Sequence, residues 1–76
     1  MPAQYDFLEE LEILADQRKS CEIIFRNENG ARTVVRDRIT GIYDREGKIL
    51  IYTASGLEIN LNNMLQVDGK TPSNFS

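Results

Sequence analysis

Histidine and tryptophan are absent from the 76 residues, cysteine occurs once and proline twice. Without histidine the chain lacks the side chain that most often acts as a general acid or base near neutral pH and most often ligates a metal. A nucleophile–base pair would need Cys21 or a serine beside a histidine, so nucleophilic catalysis has no complete set of parts. Glycine-rich phosphate loops are missing, and Asp44 and Glu46 bring no further ligands for a metal. The expectation is a non-enzyme with no cofactor and no metal. A lone cysteine leaves no intrachain disulfide and suits a reducing compartment, so a cytoplasmic location is expected. No charged-then-apolar leader is evident, and no apolar run approaches the ~20 residues that span a bilayer. No membrane partner is expected.

What is present is unevenly charged. The net charge is -3, yet residues 1–17 hold Asp6, Glu9, Glu10, Glu12 and Asp16 and no base. All nine lysines and arginines fall in residues 18–76, against seven acids. An acidic segment joined to a mildly basic body repels phosphates at one end and attracts basic partners there.

The acidic segment has helical periodicity. Phe7, Leu8, Leu11, Leu14 and Ala15 form one apolar stripe, with the acids on the remaining arc. Asp6 has the side chain of a helix cap, and Glu9 three residues on fits the capping-box spacing. A helix over 7–18 is predicted after a loose lead-in at Met1–Tyr5. Tyr5 and Ile13 fall outside the stripe. Ile13 projects among the acids, either as an ordinary surface isoleucine or as an apolar contact for a partner.

The rest reads as strands. Cys21–Arg26 alternates, which makes Cys21 a small core residue. Asn29-Gly30 is the pair best suited to a two-residue type I′ hairpin turn. That turn would set Phe25 opposite Val34 and Ile24 opposite Val35. Asp37-Arg38 reads as a bend or bulge that re-aims the chain into Ile39–Asp44, where Gly41 implies curvature or close backbone approach. Arg45-Glu46-Gly47 and Ala54-Ser55-Gly56 bound Lys48–Thr53. Leu57–Leu61 follows, Asn62-Asn63 starts a tight turn, and Leu65–Val67 adds a short last strand. The fold class expected is mainly β with one N-terminal α-helix: a small, strongly curved five-stranded barrel over 21–67, within a single domain spanning 1–69. Residues 70–76 are expected to form a disordered tail.

Two surfaces are candidates for binding. The first is the acidic helix face, whose one-sidedness exceeds what solubility needs. The second is the set Arg36, Arg38, Tyr43 and Tyr52, with Arg26, Arg32, Arg45 and Lys48 nearby. Small curved barrels bind single-stranded RNA through stacked aromatics and basic grooves. The body carries only two excess positive charges, which weighs against strong phosphate tracking.

Tyr5-Asp6-Phe7-Leu8-Glu9 resembles the Tyr-Asp-x-Leu-Glu opening of the Rho-binding antiterminators, modulators of Rho-dependent transcription termination in bacteria. Asn29-Gly30 falls where that family has its first hairpin turn. Val35-x-Asp37-x-Ile39 and Gly56-x-Glu58-Ile59-x-Leu61 follow the family's order of elements. The resemblance covers roughly residues 5–67. It implies a helix followed by an Sm-like barrel, and a protein that binds the RNA-binding domain of Rho, or a similar basic nucleic-acid-binding protein, and blocks RNA loading. On this resemblance Asp6, Glu9, Glu12 and Asp16 are the expected partner-binding residues, to which Ile13 is added as an apolar anchor. The broader Sm-like barrels, many of which bind RNA, share the strand–turn rhythm. A direct RNA-binding module is therefore an alternative, as is a domain that self-associates.

Overall fold

The computed structural model describes residues 3–72, with side chains from Phe7 onward. One helix, α1 (Ala3–Gln17), precedes five strands: β1 (Ser20–Arg26), β2 (Arg32–Arg45), β3 (Lys48–Thr53), β4 (Glu58–Asn60) and β5 (Met64–Val67). A single 3-10 turn, Leu61–Asn63, lies between β4 and β5. The strands form one antiparallel sheet in the order β4-β3-β2-β1-β5. Among the described residues no ladder joins β4 to β5, so the sheet is open. No helix among them is long and apolar enough to cross a membrane.

Helix α1 starts earlier than its sequence signals suggest. Residues 3–5 are helical rather than a lead-in, which places Asp6 inside the helix instead of at its cap. Met1 and Pro2 lie outside the described residues, as do the side chains of Tyr5 and Asp6. The helix ends at Gln17, and Arg18 follows in the left-handed region (φ 54°), its N–H donating to the Ala15 carbonyl. The predicted stripe is the packed one. Phe7, Leu11 and Leu14 are buried, with Leu8 and Ala15 half-buried beside them. They join Cys21, Ile23, Phe25, Ile39, Ile51, Ile59, Leu61, Met64 and Val67 in one core. Each large apolar side chain buried there contributes about 1.5–3 kcal/mol.

The β1–β2 hairpin differs from the expected one by a residue. Its loop is Glu28-Asn29-Gly30, closed by the Asn27 N–H donating to the Ala31 carbonyl at 2.9 Å. Gly30 (φ 79°) donates its N–H to the Asn27 carbonyl, giving a turn followed by a left-handed residue. The Asn27 side-chain oxygen accepts from the N–H groups of both Asn29 and Ala31. The pairing is therefore Phe25 with Thr33, Ile24 with Val34 and Ile23 with Val35, not the register that a type I′ turn would give. The reason lies further along β2. Thr33, Val35, Asp37 and Ile39 face the core side, while Arg32, Val34, Arg36 and Arg38 are exposed. The other register would have turned Arg36 and Arg38 inward, where an unpaired charge is costly.

The bend or bulge expected at Asp37-Arg38 is instead a stretch of continuous strand. β2 runs unbroken for 14 residues, pairing with β1 and then β3. The irregularity comes at Thr40, the extra residue between the Ile39–Thr53 and Gly41–Tyr52 pairs. This bulge switches which residues face inward, so that Ile42 joins Ile51 and Ile59 on the core side, and Gly41 and Tyr43 face out. Lys70, in the expected tail, is tied down. It exchanges backbone hydrogen bonds with Val67, and its Nζ lies 2.8 Å from Glu10 Oε1. Residues 73–76 lie outside the described residues.

Candidate functional site

Two surfaces carry the candidate residues. On α1, Glu9, Glu12, Ile13 and Asp16 fall at i, i+3, i+4 and i+7, which sets them on one face of the helix. All four are exposed, Ile13 at 43%. The face exists because Phe7, Leu11 and Leu14 claim the opposite side for the core. Among the described residues the one ion pair is Lys70–Glu10, so none of their cations pairs with Glu9, Glu12 or Asp16. Glu10 is different. It is half-buried and bound to Lys70, and so fastens the helix to the end of β5. Nothing in the sequence pairs residues 10 and 70; only the fold brings them together. The backbone of Asp6 lies one turn before Glu9 and Glu10.

The second surface is the outer side of β2 and β3. Tyr43 and Tyr52 come together there, with ring centroids 5.4 Å apart and planes at 72°. With Thr40, Gly41 and Arg45 they line a shallow cleft of about 260 Å³. Tyr52 donates its hydroxyl to Glu58 on β4, and that bond to a carboxylate raises the phenol's pKa. Gly41 is indispensable to the arrangement, because the far edge of the Tyr43 ring occupies the space that a side chain at 41 would need.

The two arginines chosen with these tyrosines separate. Arg36 stands opposite Glu22 on the β1 side of the sheet. Arg38 lines a neighbouring groove of about 220 Å³ with Ala15, Arg18, Ile39 and Thr40. Thr40 borders both hollows; Arg45 lines the tyrosine cleft, while Arg38 and Arg18 line the other. Sequence reading counted Arg45 only as one basic residue among several, and did not connect Arg18 to the strands. The signal for Arg45 was available: once a bulge is placed at Thr40, the residues alternating with Ile42 are Gly41, Tyr43 and Arg45.

Cys21 is fully buried, and its thiol donates to the Asp37 carbonyl. Burial first, then the charges of Asp68 and Asp37, push its pKa up to about 11. A thiol so placed packs and does not attack. A further hollow, of about 420 Å³, opens between the 27–29 loop and β4; Arg26 lines it, but neither tyrosine nor the acidic helix face does. Compared with family models, curated proteins and solved structures, the chain matches none.

Proposed function

We propose that the chain is a non-enzymatic regulator that docks the acidic face of α1 onto the RNA-binding surface of a basic protein and obstructs RNA loading there. The partner that the opening motif implies is the termination factor Rho, in the bacterial cytoplasm. One observation carries the reading. Glu9, Glu12 and Asp16 surround an exposed Ile13 on the side of α1 away from the core, and no cation among the described residues pairs with them. Carboxylates held on a rigid helix offer the same arginines and lysines that bind phosphates an alternative anion. The isoleucine adds an apolar contact that an RNA strand would not make.

The reading of the sheet as Sm-like has its own support. β4 and β5 are the two ends of the strand order, yet one 3-10 turn joins them. A flat five-stranded sheet would hold its edges about 19 Å apart, whereas one such turn advances only about 6 Å. A sheet curled toward a barrel meets that constraint.

The test is direct binding to purified Rho at low salt, with and without RNA. Retention that RNA competes away is expected. Joint reversal of Glu9→Lys and Asp16→Lys should weaken binding about tenfold or more, the equivalent of at least one lost charge contact. No retention at low salt, or full retention by the reversed variant, rejects the proposal.

A further inference from the structure

We propose that the outer face of β2 and β3 binds a short stretch of single-stranded nucleic acid, with one base stacked on Tyr43 against Tyr52 and the backbone running past Arg45, Arg38 and Arg18. This surface is separate from the acidic face of α1, and the inference does not depend on that reading.

The argument begins with an aromatic ring that the fold leaves out. Tyr43 is 57% exposed, although aromatic side chains supply much of the burial available to a small domain. Its ring is nonetheless positioned. The far edge reaches along the strand over Gly41, with Cε2 2.5 Å from where a Cβ at that residue would be. The ring therefore lies along the sheet instead of standing off it. Tyr52 meets it at 72° from the next strand, and Tyr52 is itself fixed by its hydroxyl bond to Glu58. Two rings at a steep angle, one of them anchored by its hydroxyl, make a notch with one broad wall, the geometry on which a planar base stacks.

Charge completes the case. Arg45 lines the notch, and Arg38 and Arg18 line a second hollow that shares Thr40 with it. Among the described residues none of these guanidiniums has a carboxylate within 4 Å, since the one ion pair is elsewhere. Glu58, the acid bonded to a notch residue, is engaged by the Tyr52 hydroxyl. Unpaired guanidiniums flanking a stacking platform complement a phosphate–base–phosphate unit. The hollow is shallow, with Thr40, Tyr43 and Arg45 all exposed. A free nucleotide is normally enclosed over most of its surface; a strand that keeps one side in water needs no such enclosure.

Tyrosine emission and the anisotropy of labelled oligonucleotides test this in the intact chain. The absence of tryptophan leaves tyrosine as the reporter. Oligouridylate or oligodeoxythymidylate at low salt should quench the emission and bind more tightly than a duplex or uridine monophosphate. Tyr43→Ala should weaken binding about tenfold, as loss of one stacked base does, while Tyr43→Phe retains it. Gly41→Ala should weaken it similarly by lifting the ring. Arg45→Glu should weaken it and flatten its salt dependence. Glu9→Lys with Asp16→Lys should leave oligonucleotide affinity unchanged or higher, so failure here and failure of the Rho reading are distinguishable. Equal affinity for duplex, for the monophosphate or for Tyr43→Ala would overturn the proposal.

Discussion

The Tyr43 ring lies across the α-carbon of Gly41, so that a Cβ on residue 41 would stand 2.5 Å from Cε2 and 3.0 Å from Cζ. Gly41 has no positive φ, so contact, not backbone conformation, is what calls for glycine here. The obstacle is the far end of an exposed side chain that is free to swing away. Gly41→Ala is therefore expected to change stability by no more than about 1 kcal/mol, while shifting the ring resonances of Tyr43. Denaturant titration and proton NMR check the two halves. Unchanged Tyr43 signals would contradict the contact.

Asp37 ties β2 to the turn after β3. Its carboxylate accepts from the Ser55 hydroxyl and N–H, and its other oxygen accepts from the Arg38 N–H. The Ser55 hydroxyl bond is the largest influence, and together these donors hold its pKa at about 2, below the ordinary 3.8. A depressed carboxyl stabilises the fold above its unfolded pKa and loses that contribution as pH falls through the folded one. Acid destabilisation from this group is thus expected between roughly pH 4 and pH 2. Carbon NMR titration should find Asp37 near its depressed value, and Ser55→Ala should move it upward. An ordinary pKa in the parent chain would rule the network out.

Leu11 is fully buried beneath the middle of α1. Leu11→Ala is expected to cost about 2–5 kcal/mol. Domains of this size have total stabilities near the low end of about 5–15 kcal/mol. Thermal or urea unfolding followed by circular dichroism should show the variant largely unfolded or melting far lower. A midpoint close to the parent's would mean that the helix is not an integral part of the core.

Glu46 and Gly47 form the two-residue turn between β2 and β3, with φ 54° and 81°. Glutamate is strained in that region, where asparagine sits readily. Glu46→Asn is expected to add about 0.5–1 kcal/mol, or about 2–8 °C in Tm for a domain this small. Calorimetry measures it, and a lowered Tm would count against the turn geometry.

Asn-Gly was the strongest hairpin signal in the chain, yet the two-residue turn formed at Glu46-Gly47. At residues 27–31, the Asn27 side chain binds two backbone N–H groups and sustains a loop one residue longer. A local signal weighs two residues; the register weighs a whole strand. The long β2 resolves in favour of exposing Arg36 and Arg38, and its bulge at Thr40 then brings Tyr43, Tyr52 and Arg45 together.

The sequence by itself determined the elements, the apolar stripe of α1 and the acidic face opposite it, because those depend on spacing within one segment. It also determined that Cys21 and Ile23 would pack, since alternation along a strand is local. The tertiary structure alone decided which strands neighbour each other, that Lys70 would neutralise Glu10 and that Arg18 would line one hollow with Arg38. Those relations join residues distant in the chain, and they follow from burying one shared core while keeping every arginine in water.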